Sequence, residues 1–271
     1  MMEAQAQSQS PSSPGLIAHS QSSRRREMAR NWARLVRFGS LALLRLPSRI
    51  RRNADLARIS RLRDEMASVV ERDPACAAKY ADYSLWIPFN VARLGVLSLQ
   101  TSPPLRILDI GCGPGYFLAG ALACGHQCYG IDAPATVLSD VEQRVYSEML
   151  EALHCRERVS PLLIERFVPM ALPLRDLDLI TAYWICFNRH KQADEWGVAE
   201  WKFFAEDALS HVSERGVLHL ELNSNPERYG ALEWYDQETL EFFRSAGSVQ
   251  GGVVRITKRK PQPWGHTRKP A

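Results

Sequence analysis

At 271 residues the chain is long enough for one domain of ordinary size with extensions at its ends. Its 45% hydrophobic content supplies a globular core, and its formal net charge of +4 is too mild to name a polyanionic partner. No apolar run approaches the ~20 residues that span a bilayer, and no charged start leads into an apolar core with a small-residue cleavage site, so a cytoplasmic protein is expected. The six cysteines, at 76, 112, 124, 128, 155 and 186, form no CxxC pair and no Cys/His cluster at zinc spacing. Reduced thiols and no structural metal are expected.

Residues 1–23 are mostly Gln, Ser, Pro and Ala and are expected to be a disordered tail. Residues 24–53 change character. Arg24, Arg25, Arg26, Arg30, Arg34, Arg37, Arg45, Arg49, Arg51 and Arg52 surround Trp32, Leu35, Val36, Phe38, Leu41, Leu43, Leu44 and Leu46. Two readings of this basic amphipathic segment stand side by side. One is a peripheral contact with the inner face of an anionic membrane. The other is a helix docked on its own domain with a solvated basic face. A break is expected at Pro47. Nucleic acid is disfavoured, because arginines alone bring phosphate contacts without readout. Residues 54–104 read as helices over 55–72, 75–86 and about 89–99, with Asp73-Pro74 as punctuation.

The informative stretch is 105–117, LRILDIGCGPGYF. An apolar run from Ile107 to Ile110 breaks at Gly111, Gly113 and Gly115, and apolar positions resume at Phe117. This is a buried strand, a glycine turn and a helix start. Gln127–Asp132 reads as a second strand ending in a carboxylate, placed to accept from a ribose diol. A helix over 136–153 follows, then a third strand over 158–164, in which Pro161 favours an edge position. Asp178–Ala182 is a central fourth strand, opening onto the segment 183–190. Val198–Val212 is an amphipathic helix and 216–222 a fifth strand that delivers Glu221, Asn223 and Asn225 to the same rim. A helix over 237–246, a closing hairpin around Gly251-Gly252 and a loose basic tail over 259–271 complete the chain. The alternation of strands and helices from 105 to 258 is that of a doubly wound sheet.

The spacing of Asp109, Gly111, Gly113 and Gly115 resembles the first motif of the class I S-adenosylmethionine-dependent methyltransferases, E/D-x-G-x-G-x-G, in full. A nicotinamide dehydrogenase would need a third glycine where Tyr116 stands. The resemblance implies an α/β fold: a Rossmann-like, doubly wound, mostly parallel seven-stranded sheet in the order 3-2-1-4-5-7-6, with an N-terminal helical extension lidding the site. It implies S-adenosyl-L-methionine as cofactor, held by Asp109, Gly111, Cys112, Gly113, Gly115 and the acidic ribose position Asp132. Glu165 and Phe167, after the third strand, would flank the adenine. Lys79 and Tyr80 would reach the methionine carboxylate.

The fourth strand is followed by Tyr183-Trp184 rather than the Asn/Asp-Pro-Pro-Tyr segment common where a base or amide nitrogen is methylated. The expected acceptor is therefore a small molecule, saccharide or lipid-linked group, methylated at oxygen. His190 is the candidate general base and Asn188 the group that orients the acceptor. Trp184, Trp196 and Asn223 are candidate acceptor contacts, while Trp201 is assigned to the core. The competing reading is a catalytically weak cofactor-binding module, targeted by its basic helix.

Overall fold

The computed structural model describes residues 41–185, 187, 195–223 and 232–258. Its centre is a seven-stranded sheet made by β1 (Arg106–Ile110), β2 (Gln127–Asp132), β3 (Val159–Pro161), β4 (Leu177–Tyr183), β5 (Val212–Glu221), β6 (Ser248–Gln250) and β7 (Val253–Thr257). The order is β3-β2-β1-β4-β5-β7-β6. Strands β1 to β5 are paired in parallel, and β7 runs antiparallel to both β5 and β6. This is the order the resemblance implied.

Helices cover both faces, which is why β1 and β4 are apolar runs rather than alternating strands. On one face lie α1 (Leu41–Asn53), α2 (Leu56–Arg72), α3 (Tyr83–Val96), α4 (Tyr116–Ala123) and α5 (Asp140–Ala152). On the other lie α6 (Val198–His211) and α7 (Gln237–Ala246). Side chains of β1 alternate between the two cores, Ile107 to the first, Leu108 and Ile110 to the second.

Several boundaries differ from the expected ones. Pro47 does not break α1, which runs through it. Leu43, Leu46 and Ile50 are all fully buried on one stripe, and that packing outweighs the backbone bond Pro47 cannot donate. The 75–86 helix is instead a 3-10 turn over Ala77–Ala81, after which Asp82 accepts from Ser84 N and starts α3. The 136–153 helix starts at Asp140, set by a capping box between Ser139 and Glu142. The third strand ends at Pro161, three residues early, at the sheet edge.

Docking of α1 uses the apolar stripe of the described part of 24–53 on the protein's own core. Leu43 lies against Gly95 of α3 and Ile50 against Gly120 of α4. Arg45, Arg49, Arg51 and Arg52 are exposed around an open groove. Residues 24–40, and with them the rest of the membrane reading, lie outside the described residues. No described helix is long and apolar enough to cross a membrane.

Candidate functional site

A cavity of about 530 Å³ opens at the carboxyl ends of β1, β2 and β4, where open parallel sheets place their ligands. Its floor is the loop from Gly111 to Gly115. Gly111 N and Cys112 N both donate to Ile131 O, at 2.8 and 3.1 Å. Gly113 N donates to the Asp132 carboxylate, and Gly115 N to Cys112 O at 3.0 Å. Pro114 has no N–H. The loop's backbone donors are therefore all spent on the end of β2 and on the loop itself. The Cys112 side chain is buried against the Gly130 position of β2, so this residue contributes backbone only.

Asp132, at the tip of β2, also accepts from Ala133 N at 2.7 Å. Burial raises its pKa from the usual carboxylate range, and the two backbone hydrogen bonds oppose that rise. Asp109 is buried one strand away, beside β4, where Thr181 Oγ1 donates to its Oδ1 at 2.6 Å. Burial pushes Asp109 up to about 7. The Thr181 hydrogen bond and the Arg93 charge pull it down, while Asp132 pushes it further up.

A second wall comes from the turn before α3 and from α3 itself. Tyr80, Trp86, Asn90 and Arg93 line the cavity. Tyr116 OH donates to Tyr80 O at 2.7 Å and ties that turn to α4. Arg93 is the residue the sequence reading missed. Its Nε donates to Glu221 Oε2 at 3.0 Å, at the tip of β5, and its Nη1 to Asn90 Oδ1 at 3.3 Å. Its Cζ lies 4.4, 4.0 and 4.7 Å from the ring centres of Phe89, Tyr183 and Trp184. The signal was present: Arg93 is the one charged residue in the 14 of α3, and a lone charge on a buried helix requires a partner.

The third wall is the segment after β4. Trp184 has φ of +54°, a left-handed conformation that costs a non-glycine residue about 1–3 kcal/mol. The bend carries its ring beside Phe89, at 5.1 Å between centres. Trp196 lines the same cavity and stacks on Phe187 with centres 3.7 Å apart. Val137, Leu138, Leu162, Leu163 and Ile164 make an apolar slot beside Asp132.

Of the candidate residues, Asp109, Gly111, Cys112, Gly113, Asp132, Tyr80, Trp184 and Trp196 line this cavity. Gly115 sits just behind it as the N-cap of α4. Four others also do not line it. Lys79 donates its Nζ back to Ala75 O at 3.1 Å. Glu165 is exposed, and Phe167 packs on Phe203 at 5.8 Å, because β3 stops at Pro161 and the chain passes the cavity at Leu162–Ile164 instead. Asn223 is buried as a clamp: its Nδ2 donates to Ile185 O at 2.9 Å and its N to Tyr235 OH at 3.2 Å. Trp201 is fully buried in the core, as assigned. Asn188, His190 and Asn225 lie outside the described residues.

No protein-family model matches the chain. No curated protein matches it either. Among solved structures, the glycopeptide N-methyltransferase MtfA is similar at 14% identity, over 51% of this chain and 55% of that one, with a TM-score of 0.36. The CcbJ methyltransferase from Streptomyces caelestis is similar at 18% identity, over 46% and 45%, with a TM-score of 0.33. An O-methyltransferase-like protein from Nostoc punctiforme is similar at 16% identity, over 51% and 41%, with a TM-score of 0.32. The chain spans about half the length of these structures or less. Likenesses this distant carry no weight beside the topology. The sheet order 3-2-1-4-5-7-6, with a glycine loop joining β1 to α4, gives this chain the class I methyltransferase fold.

Proposed function

We propose that the chain is an S-adenosylmethionine-dependent methyltransferase acting at an oxygen of a small-molecule, saccharide or lipid-linked acceptor. One observation carries the choice of cofactor. The backbone donors of the loop from Gly111 to Gly115 are spent on β2 and on the loop itself, so the loop adds none of its own to hold a pyrophosphate. Among the described residues, the cavity instead faces Asp109, Asp132 and Glu142 against one guanidinium, Arg93. That balance disfavours a dinucleotide or a nucleic-acid chain and suits a ligand with a sulfonium and an ammonium.

The residues fit such a ligand. Each Asp132 oxygen accepts one backbone N–H and keeps lone-pair capacity for a ribose hydroxyl. Leu138, Leu162 and Ile164, beside Asp132, give the cavity an apolar wall of the kind a planar base packs against. Asp109, ionised, meets the ammonium. When bound, S-adenosylmethionine supplies a sulfonium methyl that passes in line to an acceptor lone pair. The chain's own part is to align and dehydrate. Trp184 and Trp196 wall the acceptor side and exclude water, and holding the reacting atoms in line removes several kcal/mol of barrier. His190 as the base that takes the hydroxyl proton, and Asn188 as its partner, rest on sequence position alone. The oxygen preference rests on that histidine and on Thr181-Ala182-Tyr183-Trp184 at the end of β4.

The test is calorimetry on the full chain. S-adenosylmethionine binds the wild type, and Asp132→Ala loses about a hundredfold or more in affinity, because both the ribose contacts and the brace on Gly113 go together. Unchanged affinity in Asp132→Ala, or a wild type that binds a nicotinamide dinucleotide instead, sinks the reading. Labelled donor incubated with a cell extract separates an enzyme from a binding module: the module binds donor and labels nothing.

A further inference from the structure

Among the described residues, two donors in the cavity wall are buried with no hydrogen-bond partner: Nη2 of Arg93 and the hydroxyl of Tyr183. Folded proteins rarely leave such groups unpaired, and both residues line the cavity. They are neighbours, with the Arg93 guanidinium carbon 4.0 Å from the centre of the Tyr183 ring. The guanidinium is held rigidly. Nε is used by Glu221, Nη1 by Asn90, and aromatic rings of Phe89, Tyr183 and Trp184 pack around it. Only the Nη2 edge remains to meet a ligand.

We propose that Arg93 and Tyr183 form a receiving site for a carboxylate brought by a ligand of this cavity. A carboxylate offers two oxygens to two donors, and a guanidinium held in one plane favours it over a neutral carbonyl. The sequence offered Lys79 for this chemistry, but its ammonium is turned back to Ala75. The inference rests on reading the cavity as the reaction site. Two sources could bring the group: the amino-acid end of the cofactor, or an acidic acceptor.

The experiment uses the full-length wild type, Arg93→Lys and Tyr183→Phe. The lysine keeps a charge for Glu221. Phenylalanine removes only a hydroxyl with no protein partner, so Tyr183→Phe melts with the wild type. Each protein is titrated calorimetrically with S-adenosylhomocysteine and with 5′-methylthioadenosine, which lacks the amino-acid end. Each is then titrated, saturated with the first, with propionate and benzoate. If the cofactor brings the group, the variants lose affinity for S-adenosylhomocysteine, about tenfold to a hundredfold for Arg93→Lys and less for Tyr183→Phe, and keep it for methylthioadenosine. If the acceptor brings it, both thioethers bind the variants as they bind the wild type, and a saturable response to the acids is lost. Equal weakening of both thioethers, or no change with thioethers and acids alike, overturns the proposal. If the wild type binds neither thioether, the cofactor reading falls, and acid titration of the free protein decides this inference by itself.

Discussion

Asp109 and Thr181 sit opposite each other on β1 and β4, and Thr181 Oγ1 donates to Asp109 Oδ1 at 2.6 Å. This hydroxyl, followed by the Arg93 charge, opposes the burial that pushes Asp109 up to about 7. A cationic ligand needs the ionised form, so binding below about pH 7 releases a proton. Affinity for S-adenosylmethionine is expected to fall by about tenfold per pH unit on the acid side of that value. Thr181→Val removes a hydrogen bond to a charged group, worth about 1.5 kcal/mol or more, and moves the fall to higher pH. Calorimetry in buffers of different ionisation heat reads the released proton. A flat profile between pH 5.5 and 8 contradicts the assignment.

Gly113 and Gly115 differ in what an added methyl would meet. At Gly113, with φ of +50°, the nearest atoms to a new Cβ are Tyr146 Cζ at 3.8 Å and Asp132 Oδ2 at 3.9 Å, so the protein has room. At Gly115, with φ of +79°, Leu150 Cδ2 is 2.6 Å away. Gly113→Ala is expected to cost only the left-handed strain of about 1–2 kcal/mol, yet to lose cofactor affinity by tenfold or more, because the methyl stands in the ligand's path. Gly115→Ala adds an overpacked core, about 1–3 kcal/mol further, and shows first as a lower Tm. Thermal melts beside calorimetry separate the two. Equal effects of both variants on Tm contradict this division.

The glycine loop and Asp132 were legible because local spacing encodes them: a buried strand, three glycines and a second strand ending in an acid leave few alternatives. Strand order followed from the same stretch through the resemblance it carries. The Arg93–Glu221 pair was not legible as a pair, since its members are 128 residues apart and meet only once the fold brings α3 to the tip of β5. Glu165 and Phe167 were misplaced by a register matter of three residues. Pro161 cannot donate to a ladder, β3 ends there, and the apolar residues just after it take the cavity wall. Asn223 was read as a rim contact because an amide near a strand tip can serve a ligand or the backbone equally well. Only the fold decides that it serves Ile185 O.

Docking of α1 makes it part of the folded domain. Leu43, Leu46 and Ile50 are 0%, 1% and 3% exposed. Leu46→Ala is expected to cost about 2–5 kcal/mol, read as a fall in Tm or in denaturation midpoint. Arg49→Glu, on the exposed face of the same helix, is expected to stay within about 0.5 kcal/mol. Deletion of residues 1–53 then lowers cofactor affinity indirectly, by exposing Leu94 and the Gly120 face of α4. A deletion that melts like the full chain contradicts the docking.

Two buried groups, His219 and Asp109, pull stability in acid in opposite directions. His219 meets the Tyr183 ring in an edge arrangement, with centres 5.8 Å apart, and Arg255 Nε donates to its Nδ1 at 3.3 Å. Burial, and then the charges of Arg255 and Arg93, lower it from 6.5 to about 3. Between those values the unfolded chain binds a proton that the folded one refuses, so this group makes stability fall as pH falls from 6.5 towards 3. Asp109, raised from 3.8 to about 7, does the reverse: the folded chain holds a proton that the unfolded one has released, so its contribution grows as pH falls from 7 towards 3.8. In the ligand-free protein the two slopes oppose each other between about pH 4 and 6.5. Asp109→Asn is expected to expose the histidine slope, at most about 1.4 kcal/mol per pH unit, and His219→Gln to flatten or invert it. Urea midpoints measured from pH 4 to 7 on the wild type and both variants read these slopes. Parallel profiles for all three proteins contradict both assignments.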